Sequence, residues 1–150
     1  MDEHEKWMKI ALREAVSTGN EVPVGAIVVK DGEMIAAACN VREQPGECDP
    51  TAHAEILAIR RAATVLKNRR LTGCTLYVTL EPCPMCAGAI VMSGIDRVVY
   101  GAADQRQGCC GSVYSIPSDE AFYHRAQVIG GVLEKECASL LTGFFSAKRR

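Results

Sequence analysis

Residues 75–86 read TLYVTLEPCPMC and contain the signals for a strand followed closely by a helix. Each of its first six residues is apolar, aromatic or β-branched, which predicts a buried strand over Thr75–Leu80. Two prolines follow closely, and proline is favoured at the first position of a helix. The pattern predicts a helix that begins near Cys83 or Pro84 and ends at Gly94. A strand that leads directly into a helix is typical of a layered α/β domain.

Helical and extended patterns alternate along the rest of the chain. Apolar residues at helical spacing predict three more helices, over 2–18, 50–67 and 133–150. Short apolar runs predict four more strands, at 24–29, 34–38, 97–101 and 127–129. Asp31-Gly32 lies between two of these strands and indicates a hairpin turn.

The segment before the second helix has its own local signals. Residues 40–49 are polar, include Pro45-Gly46, and are predicted to form a loop. Asp49-Pro50 has the pattern of an N-cap residue followed by proline at the first helical position. We therefore expect the second helix to begin at Pro50.

Composition excludes several classes of protein. The chain has 150 residues, 48% of them hydrophobic and 23% charged, which is typical of one folded domain over 1–150. Its net charge of -1 excludes a wholly basic nucleic-acid-binding surface, although a local basic patch is compatible with it. No apolar run is long enough to span a membrane, and the acidic first residues do not resemble a signal peptide. We expect a cytoplasmic protein that makes no contact with a membrane.

Eight cysteines are many for a chain of this length. Without an export signal we expect reduced thiols, some buried and some available to a metal. Cys83 and Cys86 form a Cys-x-x-Cys pair, which can place two thiolates on one ion. The imidazole of His53 would be a third ligand, and three protein ligands leave a fourth position open for water, as in catalytic zinc sites.

Glu55 lies two residues after His53, at the predicted start of a helix. At that spacing the carboxylate can face a water on the metal and move protons between that water and a substrate. Zinc lowers the pKa of such a water to about 7, which supplies a nucleophile at neutral pH.

Each motif alone has a simpler interpretation. A Cys-x-x-Cys pair also occurs in redox proteins, in four-cysteine structural zinc sites and in apolar cores, and a glutamate on a first helical turn often only compensates the helix dipole. The combination of His-x-Glu with Pro-Cys-x-x-Cys is more specific, because it is the motif pair of the zinc nucleobase deaminases.

At these residues the chain resembles the cytidine-deaminase-like superfamily, and within it the bacterial tRNA-specific adenosine deaminases. The likeness covers nearly the whole chain and is strongest in three stretches, residues 22–26, 49–56 and 76–89. It implies a three-layer α/β/α fold with a five-stranded mixed sheet, and a homodimer. It also implies a Zn²⁺ cofactor, with Glu55 as the proton shuttle and three metal ligands, His53, Cys83 and Cys86.

The resemblance also implies a reaction and a partner. The reaction is the hydrolytic conversion of adenosine to inosine at wobble position 34 of a tRNA, with the anticodon stem-loop as the partner. Asn40 stands where the family has an asparagine that contacts the base. Asp104 and Arg106, which follow a predicted strand, are further candidates to approach the substrate.

The C-terminal residues are candidates for RNA binding. Phe145, Lys148, Arg149 and Arg150 bring an aromatic ring and three cations into one short segment. Cations contact phosphates and aromatic rings stack on bases, so the segment fits single-stranded RNA. The simpler interpretation is that the terminal cations are only solvated and that the ring anchors the last helix.

Two other functions remain compatible with the residues. One is a deaminase of free bases or nucleosides, of the guanine or cytosine type, which shares the metal motif. The other is a structural zinc or redox module built on Cys83 and Cys86. The module requires nothing of Glu55, so the effect of Glu55→Ala distinguishes it from a deaminase.

Overall fold

The structure is a computed structural model that describes residues 2–44 and 47–148. The helices, in chain order, are α1 (Glu3–Val16), α2 (Ala54–Leu66), α3 (Pro84–Ser93) and α4 (Glu134–Lys148). The strands are β1 (Gly25–Lys30), β2 (Glu33–Cys39), β3 (Glu43–Gln44), β4 (Glu47–Cys48), β5 (Cys74–Leu80), β6 (Arg97–Ala102) and β7 (Gln127–Ile129).

Five strands form one mixed sheet in the order β2-β1-β5-β6-β7. The pairs β1–β2 and β1–β5 are antiparallel, whereas β5–β6 and β6–β7 are parallel. One apolar cluster joins the sheet to α2 and α3, and a second joins it to α1 and α4. The predicted three-layer α/β/α fold with a five-stranded mixed sheet is therefore confirmed.

Helix α1 packs very closely on the sheet. Its buried residues Met8, Ala11 and Ala15 recur at helical spacing and face β1. At Gly25 an added Cβ would lie 2.1 Å from the carbonyl oxygen of Ala11. Glycine is thus required at this position, because any side chain would separate the helix from the strand.

The hairpin between β1 and β2 forms at the predicted dipeptide. Asp31 has φ 51° and Gly32 has φ 76°. Two successive residues with positive φ are characteristic of the type I′ turn, whose twist matches that of the flanking strands.

The predicted start of the second helix was wrong. Helix α2 begins at Ala54, with His53 as its N-cap residue, and not at Pro50. The Asp49 carboxylate instead accepts hydrogen bonds from the backbone N–H and the hydroxyl of Thr51, which closes a separate turn. The preceding predicted loop contains the short strands β3 and β4, which pair with each other, and Pro45-Gly46 between them lies outside the described residues.

The topology places two helix starts at one edge of the sheet. Strands β5 and β6 are parallel neighbours, so their carboxyl ends lie side by side, and the N–H of Glu81 donates to the carbonyl of Ala102. Helix α3 begins directly beyond β5, and α2 packs against α3. Within residues 2–44 and 47–148, no helix has the length and apolar character needed to cross a membrane.

Candidate active site

Three side chains that can bind a metal meet where α2 and α3 begin. His53 is the N-cap residue of α2, Cys83 is the N-cap residue of α3, and Cys86 lies in the first turn of α3. The Nδ1 atom of His53 lies 3.7 Å from Sγ of Cys83 and 3.6 Å from Sγ of Cys86. All three ligand atoms lie within 4.8 Å of one another. The structure thus brings together the three residues proposed from the sequence as metal ligands.

The spacing of these atoms fits a tetrahedral zinc ion. Zinc–nitrogen and zinc–sulfur bonds of about 2.0 and about 2.3 Å, at tetrahedral angles, place a nitrogen and a sulfur ligand about 3.5 Å apart. The observed distances are close to this value. One imidazole with two thiolates is also a donor set that zinc favours.

The sulfur of Cys83 is readily ionised. Hydrogen bonds from the Cys86 thiol and from His53 outweigh the effect of burial and lower the pKa of Cys83 to about 4. The hydrogen bond to Cys83, together with burial, raises the pKa of Cys86. Both cysteines also lie at a helix N-terminus, where the dipole favours anions. Cys83 is therefore a thiolate at neutral pH, the form that binds metals.

Glu55 lies beside the metal-binding cluster, in the first turn of α2. Its side chain is 4% exposed and lines the same cavity as His53 and Cys83. Burial raises the pKa of this carboxyl above its ordinary value. A carboxyl group that is both buried and open to the cavity can exchange protons with a bound substrate.

Asn40 is placed at the wall of this cavity by two hydrogen bonds. Its Oδ1 atom accepts from the N–H of Ala54, the first residue of α2, at 2.8 Å. Its amide nitrogen donates to the carbonyl of Val22 at 3.0 Å. An amide nitrogen carries two hydrogens, so the second is not used by that bond. Asn40 therefore holds the start of α2 and also lines the cavity.

The cavity has a volume of about 640 Å³. Beside the residues above, its wall includes side chains from the segment that follows β6 and from α4: Asp104, Gln105, Arg106, Gln107, Leu141 and Phe145. Asp104 and Arg106, candidates from the sequence, thus do line the cavity.

The structure describes the four candidate RNA-binding residues to different extents. Phe145 is 47% exposed, and its ring meets that of Phe144 edge to face, with 5.3 Å between centroids. Lys148 is the last residue of α4, and only its backbone is described. Arg149 and Arg150 lie outside the described residues.

Sequence reasoning missed Glu81, which lines the cavity and is 2% exposed. Burial alone would raise the pKa of this carboxyl, but hydrogen bonds from Ser112, Asp104 and Cys110 outweigh it and lower the pKa. The only local signal for Glu81 was its position as a charged residue between a buried strand and Pro82. Its hydrogen-bond partners lie far along the chain.

Three comparisons with known proteins agree with this geometry. The family model of the MafB19-like deaminases matches residues 1–149. The tRNA-specific adenosine deaminase of Bacillus subtilis is 48% identical over 152 residues, which cover 100% of this chain and 93% of that protein.

Two solved structures are also similar. A tRNA:A34 deaminase studied for A-to-I editing at the wobble position has a TM-score of 0.85 and 44% identity, over 91% of this chain and 99% of that one. The guanine deaminase of Nitrosomonas europaea has a TM-score of 0.78 and 28% identity, over 97% of this chain and 86% of that one. The chain therefore belongs to the deaminase family, and within it to the bacterial tRNA-specific adenosine deaminases, which have the cytidine-deaminase-like fold.

Proposed function

We propose that this protein is a zinc-dependent hydrolase that converts adenosine to inosine at wobble position 34 of tRNA. The observation that carries the proposal is the cluster of His53, Cys83 and Cys86, with the buried carboxyl of Glu55 opening into the same cavity. A structural zinc or redox module accounts for the two cysteines but not for this carboxyl.

Each residue has one role in the proposed reaction. His53, Cys83 and Cys86 would hold Zn²⁺, which when bound supplies a Lewis acid that activates water at neutral pH. The carboxylate of Glu55 accepts a proton from the attacking water and delivers it to the purine. A C6–O bond forms as this proton reaches N1 of the purine. The carboxylate of Glu55 then carries the remaining hydroxyl proton to the exocyclic nitrogen, the bond between C6 and that nitrogen breaks, and ammonia leaves. Asn40, on the cavity wall, would orient the base through its remaining amide N–H.

An anticodon loop suits this cavity better than a duplex. The adenine must leave its stack to reach the cavity, and this costs less in a loop that is already partly unpaired. Phe145 lines the cavity and is half exposed, so its ring is available for stacking on a neighbouring base. The tail Lys148–Arg150 would add phosphate contacts beyond this ring. The full-length relatives named for tRNA support the same substrate.

A free base is the second candidate substrate. It is favoured by the similarity to the guanine deaminase, which is lower in both identity and TM-score than the similarity to the tRNA enzyme.

The proposed active form is a homodimer that works in the cytoplasm, where tRNA is used. Helix α3 supports a dimer because its outer face carries the apolar residues Met85 and Met92, two turns apart, with Met92 71% exposed. Light scattering on the purified protein tests the dimer, and Met92→Asp should shift it toward the monomer.

The decisive experiment compares substrates. Zinc-loaded protein is incubated with anticodon stem-loops that carry A34, with matched stem-loops that carry G34, and with free adenine, guanine and cytidine. We expect inosine only in the A34 stem-loops. Failure to convert any A34 stem-loop, with zinc present and the protein folded, would remove the tRNA assignment. Faster turnover of free guanine or cytidine would instead establish the free-base enzyme.

A further inference from the structure

A second buried carboxylate lies at the same edge of the sheet as the metal-binding cluster. Among the side chains that the structure describes, which exclude those of residues 43–47, Glu55 and Glu81 are the two buried acidic ones. Glu81 directly follows β5, two positions before Cys83. Its side chain is not part of the metal-binding cluster, so a different role must account for its burial.

Glu81 accepts four hydrogen bonds from one segment, residues 104–112. Its Oε1 atom accepts from the N–H of Asp104 at 2.9 Å and from the hydroxyl of Ser112. Its Oε2 atom accepts from the N–H of Cys110 at 2.9 Å and from the N–H of Ser112 at 3.0 Å. The carboxylate therefore holds both ends of the segment at once.

The middle of this segment forms one wall of the cavity. Residues 104–107 line the same cavity as His53 and Glu55. Within the segment the Asp104 carboxylate accepts from the N–H of Arg106 and of Gln107, at 3.0 and 3.3 Å, which keeps the turn closed. The N–H of Gly108 also donates to the carbonyl of Asp104 at 2.9 Å. Beside the bonds to Glu81, the segment is attached to the chain after β5 by the N–H of Cys109, which donates to the carbonyl of Pro82 at 2.8 Å.

Glycine at position 108 allows the Glu81 carboxylate to pack directly against the backbone of this segment. A Cβ at Gly108 would come within 2.3 Å of the Glu81 carboxyl carbon and within 2.5 Å of the carbonyl oxygen of Asp104. The segment and the carboxylate are therefore in direct packing contact as well as hydrogen-bonded.

We propose that Glu81 is a positioning residue that sets the substrate wall of the cavity, residues 104–107, through its four hydrogen bonds to the 104–112 segment. The substrate named here rests on the proposed function. Glu81 acts through this segment and takes no part in the chemistry or in metal binding. Its loss should therefore weaken substrate binding much more than it slows the chemical step.

Three variants test this from both sides of the contact. Glu81→Gln keeps the shape but points an NH₂ group at N–H donors, so the segment must move. Gly108→Ala leaves the carboxyl group chemically intact but places a methyl group against it, so the segment and the Glu81 side chain must move apart. Ser112→Ala removes one donor only. We expect the KM for an A34 stem-loop to rise about tenfold in the first two and less in the third, with kcat per zinc-loaded enzyme within about threefold of wild type.

Matched controls are Glu33→Gln and Ser139→Ala, which change exposed residues on β2 and α4 and should leave KM unchanged. A purely structural role of Glu81 would lower the amount of folded enzyme. It would therefore lower the apparent kcat at constant KM, and that result would overturn the proposal. If Glu81→Gln does not fold, an unchanged KM in both Gly108→Ala and Ser112→Ala overturns it equally.

Hydrogen exchange gives a readout that does not depend on the substrate. In Glu81→Gln, the amides of residues 104–112 should exchange at least about tenfold faster, while those of β1 keep the wild-type rate. Unchanged protection of the segment would overturn the proposal even if the enzyme is active. If the wild-type protein converts no A34 stem-loop, the proposed function fails, and hydrogen exchange still tests the role of Glu81 in placing the segment.

Discussion

The Nδ1 atom of His53 lies 3.6 Å from the Sγ atom of Cys86, although 33 positions separate the two residues in the chain. The contact exists because two helices begin at the same edge of the sheet, one after β5 and one packed beside it. Each helix alone carries too few ligands for zinc. The metal-binding cluster is therefore a product of the α/β topology and not of either motif by itself.

Cys86→Ala tests that cluster. Cys86 is fully buried in the first turn of α3, and its loss leaves two protein ligands, so we expect the purified variant to lose most of its zinc and its activity. Elemental analysis per folded protomer measures the zinc. Cys48→Ala removes an exposed thiol and should keep a full complement of metal. Full zinc occupancy in Cys86→Ala would show that this sulfur is not a ligand.

Glu55→Gln separates proton transfer from metal binding. Glutamine occupies nearly the same volume but cannot accept and deliver the proton, and general acid–base catalysis contributes about 10²- to 10⁴-fold to rate. We expect kcat to fall by about that factor while zinc content stays at the wild-type level, because the three ligands are untouched. Inosine formation under single-turnover conditions measures the loss, with the exposed Glu33→Gln as control. Activity within a few-fold of wild type would exclude the proton-shuttle role.

Local signals were sufficient for most of the fold and for the metal-binding cluster. Prolines mark the start of α3, and Asp31-Gly32 marks the hairpin. The metal-binding cluster was predicted from the combination of His-x-Glu with Pro-Cys-x-x-Cys, because each motif alone has simpler interpretations. Each of these signals involves only a few neighbouring residues, so it can be recognised from the sequence alone.

Tertiary contacts account for what could not be predicted. Asp49-Pro50 has the local pattern of a helix start, but Asn40, 14 positions earlier, accepts the N–H of Ala54 and sets the real start there. Glu81 could not be identified from the sequence for the same reason, because its hydrogen-bond partners are 23 to 31 positions away. No sequence pattern within one helix or strand reports such a contact.

Asn40→Ala should therefore lower stability as well as substrate binding. It removes a hydrogen bond to the start of α2 and another to Val22, and leaves both backbone groups without that partner. We expect the free energy of unfolding to fall by about 1–3 kcal/mol, measured by urea denaturation of the zinc-loaded protein. Asn68→Ala is the control, since Asn68 makes a similar bond to the backbone of Arg70 but is exposed, and should cost much less. Equal losses in the two variants would contradict this account of Asn40.

The buried phenol of Tyr77 predicts a pH dependence of stability. Burial raises its pKa to about 12, and its hydroxyl lies 2.8 Å from Nδ1 of His4. The folded state therefore holds this proton to higher pH than the unfolded state, so the stabilisation is complete below about pH 10 and is lost as pH rises toward about 12. The stability difference between wild type and Tyr77→Phe, from denaturation at several pH values, should fall by up to about 2–3 kcal/mol across that range. Tyr123→Phe, which removes the hydroxyl of an exposed ring, is the control for the loss of a tyrosine elsewhere on the protein. A flat difference for Tyr77→Phe would show that this phenol titrates normally.

Removal of residues 148–150 tests whether the basic tail contacts RNA. Each phosphate contact contributes about 0.7 to the slope of log affinity against log salt for single-stranded nucleic acid. Deletion of three cations should therefore weaken binding of the A34 stem-loop and flatten its salt dependence by up to about 2, while zinc content and kcat at saturating RNA stay unchanged. Fluorescence anisotropy over a range of salt concentrations measures both the affinity and the slope. The control is the double variant Arg69→Ala and Arg70→Ala, which removes two exposed cations outside the cavity wall. If the deletion leaves the slope at the wild-type value, or if the control flattens it as much, the tail cations are only solvated and the phosphate contacts lie elsewhere on the protein.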